Sequence, residues 1–182
     1  MFFNIDYKIY KLPEKINYFI SKNNLFYRSK SKLIKKVEPT FLEAYILDEG
    51  FYEFNITKPC FFIYNTGNIS LKNFKVHYYF TTENGLTPVL EDYCTSSYSV
   101  SLKYLGLDQW CVILDYARYI LNLGERVPHN YGEIFGIHYP DPYWRLWDKS
   151  NDFSQPLSNT FRHTENIAIF DNDDELMYGN QP

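Results

Sequence analysis

The chain has 182 residues, 45% hydrophobic and 20% aromatic, and carries a net charge of −4 from 18 Lys and Arg against 22 Asp and Glu. Disordered chains are poor in aromatic side chains, so disorder over the whole length is excluded; with eight glycines, collagen-like and glycine-rich repeats are excluded as well. No run approaches the roughly 20 apolar residues of a membrane helix, which excludes a polytopic membrane protein.

The charge is unevenly placed. Residues 1–40 hold nine bases and three acids, a charge of +6; residues 41–182 hold nine bases and nineteen acids, a charge of −10. That shift predicts a boundary near Pro39-Thr40, with a basic N-terminal extension or linker over 1–40 and one domain over 41–182. The bases of the extension are interleaved with Phe, Tyr and Ile, and the segment reads as a linker or as an arm for an anionic surface. The acidic domain itself argues against a nucleic acid as partner. The first residues lack the pattern of a secretory signal, so the chain is either not exported by that route or a fragment. Cys60, Cys94 and Cys111 are too few and too scattered for a disulfide framework or a zinc site.

Strand signals dominate from residue 41 onward. Phe41–Phe54 reads as one or two strands broken near Asp48-Glu49-Gly50. Cys60–Tyr64 is a short apolar run stopped by Asn65-Thr66-Gly67-Asn68. Phe74, Val76, Tyr78 and Phe80 alternate with polar residues, as a half-buried strand requires. Tyr98–Leu105 and Gln109–Leu114, separated by Gly106-Leu107-Asp108, predict a hairpin. Gly132–Tyr139 alternates again, and Ile167–Phe170 and Leu176–Tyr178 flank the acidic turn Asp171–Asp174. About nine short strands without a helical period predict an all-β antiparallel sandwich or barrel.

Enzyme signatures are absent: no nucleophile elbow, phosphate-binding glycine loop or metalloprotease helix motif occurs. His77, His129, His138 and His163 have no metal-ligand spacing. Acid pairs such as Glu91-Asp92 and Asp173-Asp174 read as solvated turn or strand residues. Two clusters stand out. Tyr143, Trp144 and Trp147 fall within five residues after Pro140-Asp141-Pro142, on a segment that is no strand interior. Flat rings of this kind stack on the apolar faces of sugar rings at little cost in side-chain entropy. In the second, the oxygens of Asn151 and Asp152 in Ser150-Asn151-Asp152-Phe153-Ser154, together with Thr81 and Glu83, could furnish a hard-cation site.

In order along the chain, these segments resemble a family-3 carbohydrate-binding module, the cellulose-binding β-sandwich of scaffoldins and cellulases. The resemblance is carried by Asn65-Thr66-Gly67-Asn68, Val76–Gly85, Leu123-Gly124-Glu125, Gly136-Ile137-His138, Trp144, Ser150–Ser154 and the closing Leu176–Pro182. It implies a nine-stranded jelly roll with a structural calcium ion and no catalytic activity. It also implies a planar aromatic and polar strip for cellulose or a related β-glucan, with Trp144, Asp92 and Tyr93 at strip positions and Tyr98 a candidate for the strip tyrosine. The calcium ligands it implies are Thr81, Glu83, Asp148, Asn151 and Asp152. Tyr93 stands where the family has histidine, and Ile137 where it often has arginine. Extracellular placement and a linked glycoside hydrolase or scaffold follow from the same resemblance. So does the alternative of a structural or docking module auxiliary to a catalytic domain, without cellulose binding of its own.

Overall fold

The structure, a computed structural model, describes residues 41–83, 85–93, 98–128, 135–140 and 145–182. The expectations for residues 1–40, for Tyr143 and Trp144, and for Cys94 and His129 lie outside the described residues. The strands in chain order are β1 (Leu42–Asp48), β2 (Ile56–Thr57), β3 (Pro59–Asn65), β4 (Leu71–Thr81), β5 (Val89–Asp92) and β6 (Ser99–Gly106). They continue with β7 (Gln109–Leu121), β8 (Arg126–Val127), β9 (Phe135–His138), β10 (Arg162–His163), β11 (Ile167–Phe170) and β12 (Leu176–Tyr178). One 3-10 turn, Lys149–Asn151, is the only helical element among the described residues.

Every strand pair is antiparallel, and three sheets result: β10-β1-β3-β8, β12-β11-β4-β7-β6, and the small sheet β2-β9-β5. The alternation read from the sequence is what builds the layers. Phe74, Val76, Tyr78 and Phe80 all point inward from β4 and are fully covered. They meet Leu42, Ile46, Phe61 and Ile63 of the four-stranded sheet and Phe135 and Ile137 of β9 in one core. Each such side chain contributes about 1.5–3 kcal/mol of burial free energy. The result is an all-β sandwich closed at one end by the small sheet.

Three local features depart from the sequence reading. The hairpin runs longer, with β7 continuing to Leu121, and its turn is the two-residue loop Leu107-Asp108, both residues at positive φ (51° and 61°). That geometry matches the right-handed twist of the flanking strands, but Leu-Asp carries none of the usual Asn-Gly signature. The segment after Asp48 is a loop and not a strand as far as Ile56. The described strands also outnumber the nine expected, because several are two-residue edge pieces that sequence periodicity does not register. Gly179, at φ 78°, is a position where glycine is required: a Cβ would stand 1.8 Å from the Ile167 carbonyl oxygen.

Candidate functional site

The small sheet displays the first candidate site. In β5 the period of two puts Glu91 and, one step past the strand end, Tyr93 on the outer side. Leu90 faces Ile137 in the core. Glu91 pairs with Gly136 of β9, and that glycine has a specific use. A Cβ there would come within 2.8 Å of the Tyr93 hydroxyl and 3.1 Å of its Cε2. The Tyr93 ring therefore lies across Gly136, beside Ile56, with 47% of the residue still exposed.

The ring is held as well as displayed. Its hydroxyl donates to Glu91 Oε2, and Glu91 Oε1 meets His138 Nε2 at 3.2 Å. His138 Nδ1 lies 2.7 Å from the Tyr139 carbonyl oxygen. The hydrogen bond from Tyr93, with the nearby His138 and Lys58, holds the Glu91 carboxyl below its ordinary range. Partial burial, reinforced by Glu91, pushes the Tyr93 phenol up to about 12. The pair is thus a neutral phenol on a carboxylate. Asp92 is exposed at the end of β5 and has the opposite parity, so Glu91 is the carboxylate that anchors the ring. The resemblance places Asp92 and Tyr93 at strip positions and says nothing of what holds the ring; the i, i+2 relation of Glu91 and Tyr93 was the available signal for that anchor.

Two of the strip candidates move elsewhere. Trp147 is a correction: it is 5% exposed, packed 4.8 Å from Tyr139 and 5.6 Å from Phe80, and its indole N–H donates to Asp152 Oδ2 at 2.8 Å. Its face is used inside the protein and is not offered to a ligand. Tyr98 is also corrected. It precedes β6 on the five-stranded sheet and packs on the core at 5.2 Å from Tyr116, away from the Tyr93 surface. Both corrections have one cause: an aromatic residue type does not reveal which side of the sandwich its segment covers.

Hydrogen bonds link four residues of the second candidate site, and Asp148 acts on Asp152 electrostatically. Asp152 Oδ1 accepts from Thr81 N at 2.9 Å, and the Thr81 hydroxyl reaches the Asn151 carbonyl at 3.4 Å. Asn151 Nδ2 donates to Glu83 Oε1 at 3.0 Å, and Glu83 Oε2 accepts from Tyr139. Asp148 caps the 3-10 turn, accepting from Ser150 N at 3.0 Å and Ser150 Oγ at 2.5 Å. Asp152 is pushed up to about 7, chiefly by burial, with Glu83 and Asp148 adding repulsion. Among the described residues no three of His, Cys, Asp or Glu are arranged to hold a metal by themselves. The set is all oxygen, with a hydroxyl and a backbone carbonyl beside the carboxylates, the chemistry a hard cation takes.

A cellulose-binding domain family model matches residues 42–179. The chain belongs to that family. Family-3 carbohydrate-binding modules are non-catalytic binding modules, and cellulose binding is their general association. No curated protein sequence matches the chain. Among solved structures, it is similar to the module CBM3b from the cellulosomal cellobiohydrolase 9A of Clostridium thermocellum, at 26% identity and a TM-score of 0.63. That match covers 78% of this chain and 97% of the other. It also shares its fold with the CBM3a-L domain of the scaffoldin cipA of C. thermocellum, at 17% identity and TM-score 0.65, covering 79% and 92%. A scaffoldin family-3b module of Bacteroides cellulosolvens, at 18% identity and TM-score 0.63, covers 79% and 97%. Members of the family thus occur in cellulases and in scaffoldins.

Proposed function

We propose that this module binds polysaccharide, cellulose first, on the outer surface of the small sheet. The observation that carries the reading is the Tyr93 ring laid over Gly136 with its hydroxyl fastened to Glu91. A ring fixed in that way stacks on a pyranose face without losing rotamer freedom on binding. The aromatic cluster and the family resemblance supply Trp144 and Tyr143 as further strip residues, and the resemblance adds Asp92, which is exposed at the end of β5 with the opposite parity to Tyr93. Family membership supports an extracellular setting, beside a linked glycoside hydrolase or within a scaffold.

Calcium is the second part of the proposal. Thr81, Glu83, Asp148, Asn151 and Asp152 would hold the ion, which would offset the repulsion of Glu83 and Asp148 on the buried Asp152. Its role is structural: it would tie the end of β4 to the 3-10 turn. A native-state ligand stabilises by mass action, so calcium should raise the melting temperature and a chelator lower it. An unchanged melting curve together with no metal by elemental analysis would retire the calcium claim.

The test of binding is depletion from solution by microcrystalline cellulose, with and without calcium. Depletion that is lost in Tyr93→Ala and in Trp144→Ala, both folded, is the expected result. The auxiliary docking reading draws on the removal of Trp147 and Tyr98 from the exposed set. Failure of the folded parent to adsorb, beside tight association with a catalytic domain, would favour it.

A further inference from the structure

The loop between β1 and β2 carries a feature that neither the strip nor the cation cluster uses. Residues 50–54 read Gly-Phe-Tyr-Glu-Phe, and the three rings are exposed: Phe51 37%, Tyr52 75% and Phe54 74%. Rings this bare are costly to leave in water, and clustered apolar exposure marks a binding surface. Leu146, itself 77% exposed, shares with Phe54 and Arg145 a concave surface of about 390 Å³ that Glu83 and Asp148 of the cation cluster also line.

The loop that bears them is tightly fastened. Asp48, 1% exposed, pairs with Lys149 at 2.7 Å, and the same ammonium donates to the Gly50 carbonyl. Asp48 Oδ1 accepts from Lys58 N at 3.2 Å, and Glu49 N donates to Lys58 O at 2.9 Å. Glu53 N closes a turn on Gly50 O at 2.8 Å, Trp147 N donates to Phe54 O at 2.7 Å, and Asn159 Nδ2 reaches the Tyr52 hydroxyl at 3.3 Å. An exposed ring on a clamped loop is preorganised, which lowers the ordering cost of association.

The loop is continuous with the Tyr93 surface. Glu53 pairs with Lys58 at 2.6 Å, Lys58 acts electrostatically on Glu91, and Glu53 acts on Tyr93 itself. Ile56, just past the loop, touches the same space above Gly136 as the Tyr93 ring. Glu53 and Lys58 neutralise one another. The ground between the two sets of rings therefore offers hydrogen-bonding groups, with the Glu91 carboxylate held by the Tyr93 hydroxyl.

We propose that Tyr52 and Phe54 form a second stacking contact for an uncharged glucan, so that the module grips its polysaccharide at both the small sheet and the β1–β2 loop. The inference rests on the polysaccharide reading of the Tyr93 surface and adds residues to it. Asp48 and Lys149 act as positioning residues for the loop.

Adsorption isotherms of the full 182-residue chain on microcrystalline cellulose test it, with melting temperature as the control for folding. Parent, Tyr93→Ala and the double variant Tyr52→Ala/Phe54→Ala are compared. The expected result is about a tenfold loss of affinity in the double variant at unchanged melting temperature, the size two lost ring contacts give. If the double variant binds as the parent does while Tyr93→Ala is weakened, the loop inference is overturned alone, and the loop's rings belong to a protein partner. If the folded parent does not bind, the polysaccharide reading and the loop inference fall together.

Discussion

Two populations of aromatic side chains divide this domain, and they do opposite things with the same chemistry. Inside, Tyr78, Tyr139 and Trp147 are buried in the core, and each polar tip is answered within the protein: Tyr78 donates to Gln155 Oε1 at 2.5 Å, Tyr139 to Glu83 and Trp147 to Asp152. Outside, Tyr52, Phe54 and Tyr93 are exposed; the hydroxyls of Tyr93 and Tyr52 are held by Glu91 and Asn159, and Phe54 is held through its backbone carbonyl by Trp147 N. The contrast lies in where the anchor is: a hydroxyl tied at the surface leaves the ring exposed, whereas an anchor deep in the core leaves it covered.

The sharpest break of that contrast is Trp147→Ala. It should cost about 3–5 kcal/mol, the usual loss for a large buried aromatic side chain, and it also strips the buried Asp152 of an N–H donor. Chemical denaturation of parent and variant would measure it. A loss near zero would mean that the ring is not part of the core. Next, Lys149→Met leaves Asp48 buried without its cation. Removing one partner of a buried pair is strongly destabilising, and about 3 kcal/mol is expected. A variant as stable as the parent would show that the β1–β2 loop is not clamped by this pair.

A smaller effect follows from pH. Burial first, and then Lys103 and Lys75, bring the His77 pKa down to about 4 from 6.5. Between those values the unfolded chain binds the proton and the folded chain does not, so His77 removes stability as pH falls from about 6.5 to 4. Asp152 works in the opposite sense. In the calcium-free protein, where it is raised to about 7, it binds its proton in the fold, and its contribution is lost as pH rises from about 4 to 7. The two partly cancel in the parent. Melting curves of parent and His77→Gln across pH 4–6.5 separate them: the parent should lose ground against the variant toward acid, and parallel profiles would refute the assignment to His77.

The smallest stability effect belongs to the outer population. Tyr93→Ala should change stability by less than about 1 kcal/mol, as surface substitutions do, while it weakens adsorption to cellulose. A large drop in melting temperature would move Tyr93 from the binding group to the structural one.

Much of the sandwich was legible along the chain. The alternation of Phe74, Val76, Tyr78 and Phe80 marked the inner face of β4, and all four are covered. Gly106-Leu107-Asp108 marked the β6–β7 hairpin, and Thr81, Glu83, Asn151 and Asp152, grouped in the sequence reading, are linked by hydrogen bonds. These features depend on short-range periodicity or on segments with a recognisable pattern, because a strand with one covered face imposes a period of two on its own residues. The burial of Trp147, the passage of Tyr93 over Gly136 and the closure of Asp48 on Lys149 were not legible. Asp48 and Lys149 are 101 residues apart, and no local period links them. The sequence by itself determined strands, turns and the inner faces. The tertiary structure decided which rings were covered, since coverage depends on what the other sheet and the loops bring against each surface.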